Sequence, residues 1–259
     1  MTGRGDFAGL SCAGNPSGSV AAGPAPCHFN GVENYEHTAS EPLVDGPTSE
    51  GGRAPASTRD KLLEAASALM RTRDTIDVSL SDIAQTAKVN AALVKYYFGN
   101  KRGLVLALLE RDLSNAVAQL RDLVELDLRP TLKMKYHLSA LIRMYFYRPY
   151  LNRLLTAVMR DANEPAAREI ALSYCAPIIE AYQRMIEDGV AQGEFKHVDA
   201  KFLYFTIIGA CDQIFSARYV LRYVHGIDEI DDSLRRAYAR QVIDLVMGGL
   251  LVEGGSLAE

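Results

Sequence analysis

The stretch VNAALVKYYFGNK, residues 89–101, sets three consecutive aromatics, Tyr96, Tyr97 and Phe98, beside a glycine, with Lys95 and Lys101 as its only charges. A buried strand, a cofactor box and a short helix with two different faces all accommodate such a run. Wound at 100° per residue, Val94, Tyr97 and Phe98 fall on one side, and Ala92, Lys95 and Tyr96 on the other. The spacing therefore predicts a helix whose first side enters a core and whose Tyr96 side has no core to enter. Asn90 is placed to cap its start and Gly99 to stop it in the left-handed conformation.

The flanking sequence supplies partners for that helix. Ser57 or Thr58 can cap a helix whose Leu62, Leu63, Ala66, Leu69 and Met70 share one face. Ser79 then caps the short run SDIAQTA, with Ile83, Ala84 and Ala87 turned inward. A helix, a tight turn and a second short helix, each with its own cap, make a helix-turn-helix. Asn100 caps the next helix, and Lys101 and Arg102 occupy its first turn, where free amides and the helix dipole already favour an anion. A tyrosine facing outward beside a lysine suits a phosphate or base-edge contact. Ala91 and Ala92 let the backbone approach a major groove, and Leu93 on the same side can touch a thymine methyl.

A net charge of −4 argues at first against a nucleic-acid partner, but its distribution does not. Residues 1–56 carry all of that excess, and residues 57–111 hold nine basic side chains against six acidic ones. Residues 1–56 are rich in Gly, Pro, Ser and Ala without helical or strand periodicity, and read as a disordered acidic extension. The RGD at 4–6 has no secretory signal to give it meaning, and a cytoplasmic location is expected. Residues 253–259 read as a tail. The longest apolar run, FLYFTIIGAC at 202–211, is about half of what a membrane span needs. Cys12, Cys27, Cys175 and Cys211 form no CxxC pair and the five histidines no ligand spacing, so neither metal nor cofactor is expected. GxSxG and GxGxxG are absent. An enzyme would need a nucleophile–base pair, a metal constellation or a phosphate-cradling loop, and none is present.

The run SLSDIAQTAKVNAALVKYYFGNKRGLVLALLER, residues 79–111, resembles the DNA-binding domain of the tetracycline-repressor (TetR) family of bacterial transcription regulators. The resemblance covers caps, turn, recognition helix, aromatic pair and the lysine after the glycine turn, over roughly residues 57–111. It implies a homodimer, a palindromic operator in double-stranded DNA and a small effector that alters operator affinity. By position, Ser79 and Ser81 would open the helix resting on the DNA backbone, Ala91, Ala92, Leu93, Lys95 and Tyr96 would face DNA, and Lys101 would bind phosphate. Lys88 departs from the glycine often found at the turn, which implies a strained backbone or an added phosphate contact. Alanines and a leucine in place of more polar readers make hydrogen-bonded base readout sparse.

From residue 101 onward the pattern is helical, with helices near 101–125, 130–147, 150–162, 164–191, 199–224 and 230–251. The expected class is all-α with about nine helices: a helix-turn-helix domain at 57–103 and an effector-binding and dimerisation domain at 104–252. The helix at 130–147 is apolar nearly all round, so it belongs at the centre of that second domain. With Tyr136, Arg143, Met144 and Tyr147 on it, and Met159, Tyr174, Cys175, Ile178, Tyr182 and Met185 opposite, it can enclose an adaptable, mostly apolar pocket. Arg143 and Arg160 are the nearest anion anchors. The last two helices carry stripes of Phe202, Phe205, Gly209, Asp212 and Ser216, and of Tyr238, Gln241, Val242, Leu245, Gly248 and Gly249. Paired across a twofold axis these would form a four-helix bundle. The alternatives are a DNA-organising protein without an effector and, further off, a helical enzyme.

Overall fold

The computed structural model describes residues 57–252, and the expectations for the N-terminal extension, the tail, Cys12 and Cys27 lie outside the described residues. Apart from one isolated antiparallel bridge between Phe195 and Leu251, the regular elements there are helical, and the all-α expectation holds.

The N-terminal head consists of α1 (Thr58–Thr72), α2 (Leu80–Thr86) and α3 (Ala91–Phe98), closed by the start of α4 (Lys101–Glu125). Its caps are the side chains the sequence points to. Ser57 accepts from the Asp60 amide, Ser79 from Asp82, Asn90 from Ala92 and Asn100 from Gly103. Leu62, Leu63, Ala66 and Met70 of α1 are sealed against Ile83 and Ala84 of α2, Val94 of α3 and Leu104 and Leu108 of α4. The turn between α2 and α3 is closed by the amides of Lys88 and Val89, which donate to the carbonyls of Gln85 and Ala84. That closure places Lys88 at φ +55, a left-handed position normally given to glycine, so the strain foreseen for Lys88 is present.

The body continues with α5 (Pro130–Tyr147), α6 (Leu151–Asp161), α7 (Glu164–Ile170), α8 (Ala176–Ala191), α9 (Ala200–Ser216), α10 (Arg218–His225) and α11 (Asp232–Leu250). Among the described residues there are eleven α-helical segments where about nine are expected, the difference coming from two breaks. Between α7 and α8, Ala171–Cys175 form a π turn in which the Ala176 amide donates to the Ala171 carbonyl. Pro177 lacks an amide hydrogen and its ring would strike the carbonyl four residues back, a conflict that a wider turn relieves. Between α9 and α10, Ala217 leaves the helical region without glycine or proline to announce it.

Helix α5 is central, packing on α4, α8, α9 and α11. Its Met134, Leu138, Leu141, Ile142 and Tyr145 are buried, but Tyr136, Arg143 and Tyr147 lie on an open side, so it is not enclosed all round. The GEF turn at 193–195 anchors it. Gly193 adopts φ +70, the Glu194 carboxylate accepts from the Thr131 amide in the first turn of α5, and Phe195 packs so tightly over Gly189 that a Cβ there would overlap its ring. At the other end of the same connection, Lys133 donates to the Val124 carbonyl at 2.7 Å, a cation against the C-terminus of α4.

Candidate nucleic-acid interface and effector cavity

Helix α3 divides much as its sequence spacing requires. Val94 is buried, Phe98 is half-buried with the Arg59 guanidinium 5.6 Å from its ring centre, and Lys95 and Tyr96 are bare. Tyr96 is 79% exposed. One aromatic departs from expectation: Tyr97 is 39% exposed and meets the edge of Tyr96 at 5.0 Å instead of entering the core. At this end of the helix it is Phe98, not Tyr97, that packs against the core. Ala91 and Ala92 are exposed and Leu93 is half-buried, so Leu93 gives part of its surface to the protein.

Around this helix the cations differ in availability. Lys88, Lys95 and Arg102 are exposed with no ion-pair partner among the described residues. Lys101 is instead paired with the exposed Asp77, whose carboxyl is held below the usual range by the Lys101 hydrogen bond and then by its charge. A phosphate reaching Lys101 therefore competes with a carboxylate already there. Ser79 and Ser81 are both exposed, their hydroxyls 2.9 Å apart, while Ser79 also caps α2.

The body holds two adjoining hollows. A cavity of ≈ 250 Å³ opens between α4 and α5, with Asn115, Gln119, Arg111, Arg143, Tyr147 and Arg148 among its walls. A smaller chamber of ≈ 40 Å³ lies deeper, lined by Leu113, Val117, Tyr145, Leu155, Tyr174, Ile178, Tyr204 and Ile208. Ala116, Leu120, His137, Leu141 and Met144 border both. Of the residues expected at a pocket, Arg143, Met144 and Tyr147 stand at the outer hollow, and Tyr174 and Ile178 at the inner one. Tyr136 is exposed, and neither it nor Met159 and Cys175 lines these walls; Tyr182 and Met185 are fully buried behind them. Arg160 is exposed and away from both hollows.

The sequence reading missed α4, which supplies half of the outer wall. Its signal was an acid on an apolar stripe: Asp112 follows Val105, Leu108 and Leu109 at helical spacing and is buried with them. Arg111 donates to its Oδ1 at 2.8 Å, and Arg148 pairs with the same oxygen at 3.1 Å. The Tyr150 hydroxyl donates to Oδ2 at 3.1 Å, so Ser67 of α1, 2.6 Å from that hydroxyl, must be the donor to Tyr150. Burial, and then the Asp112 charge, push the Tyr150 phenol above its ordinary range and keep its proton in place.

His137 was missed for the same reason. It is buried, 2.7 Å from the Tyr182 hydroxyl, and desolvation lowers its pKa to about 4. Its unfolded value near 6.5 is higher, so the unfolded chain binds the extra proton, and stability is lost as pH falls from about 6.5 toward 4. Between pH 7 and 5 that loss should be about 2 kcal/mol. Urea unfolding of wild type and of His137→Asn, which cannot titrate, should diverge by this amount; parallel curves would place the histidine in water.

Residues 62–108 match the model of the bacterial regulatory proteins of the tetR family, and residues 127–256 the tetracyclin repressor-like C-terminal domain. The chain belongs to the TetR family. Like the family it is a transcriptional regulator with a helix-turn-helix head and an effector-binding domain. The transcriptional repressor NicS of Pseudomonas putida is 25% identical over 199 residues, covering 74% of this chain and 92% of that one. Among solved structures, the TetR-family regulator PfmR of Thermus thermophilus aligns with a TM-score of 0.59 at 20% identity, over 76% of this chain and 100% of its own. FadR of Bacillus subtilis, solved with stearoyl-CoA, aligns with a TM-score of 0.54 at 17% identity, over 73% and 97%. These structures share the TetR fold with this chain. No helix among the described residues is long and apolar enough to cross a membrane.

Proposed function

We propose that the protein is a homodimeric, cytoplasmic repressor that binds a palindromic operator through α3 and is released from it by a small, mostly apolar effector held between α4 and α5. The observation that carries the DNA-binding half is the two-sided α3, with Val94 sealed and Lys95 and Tyr96 bare. Ala91, Ala92 and the exposed part of Leu93 fit closely into a major groove, Ser79 and Ser81 meet the backbone, and Lys88, Arg102 and Lys101 meet phosphates. NicS, the similar protein from Pseudomonas putida, is named as a repressor.

Twofold pairing is supported by α9 and α11. Phe202, Phe205 and Leu245 are 72%, 70% and 67% exposed, an apolar stripe unusual for a monomer surface. A groove of ≈ 280 Å³ runs between the two helices past Thr206, Val246 and Gly249. A Cβ at Gly209, Gly248 or Gly249 would meet nothing in the chain, so a partner helix can approach closely there. Gln241 is exposed on the same side. Asp212 and Val242 are buried in the protomer, and Tyr238 is half-buried with its hydroxyl on the Ala210 carbonyl, so these three support the stripe from behind. Pairing sets the two α3 helices about 34–36 Å apart for successive major grooves.

Effector release works as a population shift toward a state whose α3 spacing no longer fits the operator. Polar contacts join body to head. Ser67, Tyr150, Asp112 and Arg148 link α1 to the rim of the outer cavity. Asp74, held at φ +50 just after α1, takes Arg153 of α6 at 2.6 Å and Arg218 of α10 at 3.1 Å. Coupling of about 1–3 kcal/mol would change operator affinity roughly 5–150-fold. The direct test is a gel-shift salt series on the chain's own promoter region. With three or four cations per protomer meeting phosphate, log affinity against log salt should slope between roughly −5 and −7. A flat dependence removes the DNA-binding role.

A further inference from the structure

We infer that the effector is an amphiphilic anion, an alkyl or similarly slender apolar chain ending in a carboxylate or related acidic group. This rests on the effector-responsive reading of the α4–α5 cavity and names the chemistry that cavity selects.

The two hollows differ in kind. The outer one presents three guanidiniums, Arg111, Arg143 and Arg148, and one carboxylate, Asp112. That carboxylate is buried and already bonded to Arg111, Arg148 and Tyr150, so it does not face an incoming ligand as a free charge. Arg143 is exposed at the rim and has no ion-pair partner among the described residues. A planar fork of donors without an acceptor is the group that recognises a carboxylate or phosphate bidentately. Asn115 and Gln119 add neutral hydrogen-bonding groups on the facing wall.

The inner hollow accepts no charge. Apart from the neutral amide of Asn152 its walls are aliphatic and aromatic, and His137 at the junction is neutral near pH 7 because burial holds its pKa near 4. In that wall Asn152 donates to Asp212 at 3.0 Å, and the other oxygen of that buried carboxylate has no partner among the described residues. An anionic head pushed inward would meet this charge. The ligand is therefore oriented with its head at Arg143 and its tail toward Tyr174, Ile178 and Tyr204.

At ≈ 40 Å³ the inner chamber admits little more than a water before something moves. The wall formed by Tyr174 belongs to the π turn Ala171–Cys175, where the regular hydrogen-bond ladder is already broken. A tail entering the chamber displaces that wall, while the head draws on Arg148 and Arg111, the guanidiniums that hold Asp112 and through Tyr150 meet α1. Binding and the signal to the head thus use the same side chains.

The test uses the full chain and three probes of equal tail length, decanoate, decan-1-ol and decyltrimethylammonium, below their micellar concentrations, by isothermal titration. Decanoate should bind at least about tenfold more tightly than the alcohol or the cation. Arg143→Gln, an exposed change without a packing role, should bring decanoate down to the affinity of the alcohol and leave the alcohol unchanged. Equal binding of the three probes, or a decanoate preference that survives Arg143→Gln, overturns the inference. A gel shift with and without decanoate separates the two levels. Tight decanoate binding that leaves operator affinity unmoved faults the effector-responsive reading and upholds the ligand class. Operator release by a cationic or neutral compound, with decanoate inert, overturns the ligand class and upholds the regulator.

Discussion

Replacing Tyr96 by alanine should lower operator affinity at least about 100-fold and leave the unfolding midpoint where it is, since about 1.5 kcal/mol per charge-assisted contact is lost once in each protomer of a twofold complex. Tyr96 is 79% exposed on α3, so its removal takes only the edge contact with the exposed Tyr97 and nothing from the core of the head. The two effects separate cleanly along one helix. Val94, two residues earlier, is 1% exposed, and Val94→Ala should cost roughly 1–3 kcal/mol of stability through the lost packing. Lys101→Ala should weaken operator binding less than Tyr96→Ala, because Asp77 already occupies that ammonium in the free protein and its release offsets part of the phosphate contact. Gel shifts on the promoter region, paired with urea unfolding of the same samples, read both quantities. If Tyr96→Ala unfolds the protein while Val94→Ala spares it, the faces of α3 have been assigned the wrong way round.

What could be read from the residues, and what could not, follows how far each determinant extends along the chain. The head is written locally. Ser57, Ser79, Asn90 and Asn100 each sit within three residues of the amide they cap, and Gly99 lies at the φ its turn requires. Breaks in the body are marked only where a residue breaks backbone rules by itself. Pro130 opens α5, but the α9–α10 break at Ala217 has no such residue and was read through. Pro177 was equally silent, because the π turn that accommodates it keeps the chain helical on both sides. The cavity needs facing sides of two helices at once, so its α5 half, apolar and aromatic, was visible while its α4 half was not. Asp112 and His137 look like solvated positions until the stripes they interrupt are counted, and each then proves buried and hydrogen-bonded. Asp212 misled in the opposite sense: its spacing matches the exposed stripe of α9, yet it turns inward to Asn152 and Ser216.

The proposed pairing of two protomers through α9 and α11 yields the second large effect. Leu245→Glu should raise the dimer dissociation constant at least about 100-fold, since burial of a leucine contributes about 1.5–3 kcal/mol and counts twice across a twofold axis, before the cost of burying the carboxylates is added. Sedimentation would then find monomers where the wild type sediments as a dimer, and operator binding would fall with it, since one α3 alone reads only a half-site. Gly209→Leu gives the sharper test because its two expected effects have opposite signs. Nothing in the protomer lies within 4 Å of a Cβ at Gly209, and the position is helical, so leucine there should stabilise the isolated fold by roughly 0.5–1 kcal/mol. The same side chain would stand where a partner helix must approach, and dimerisation should weaken. A Gly209→Leu protein that is both more stable and still fully dimeric would move the contact elsewhere. The candidate is then the exposed apolar face of α10, where Tyr219, Tyr223 and Val224 also stand clear of the protomer, and Tyr223→Glu rather than Leu245→Glu would be the variant that dissociates.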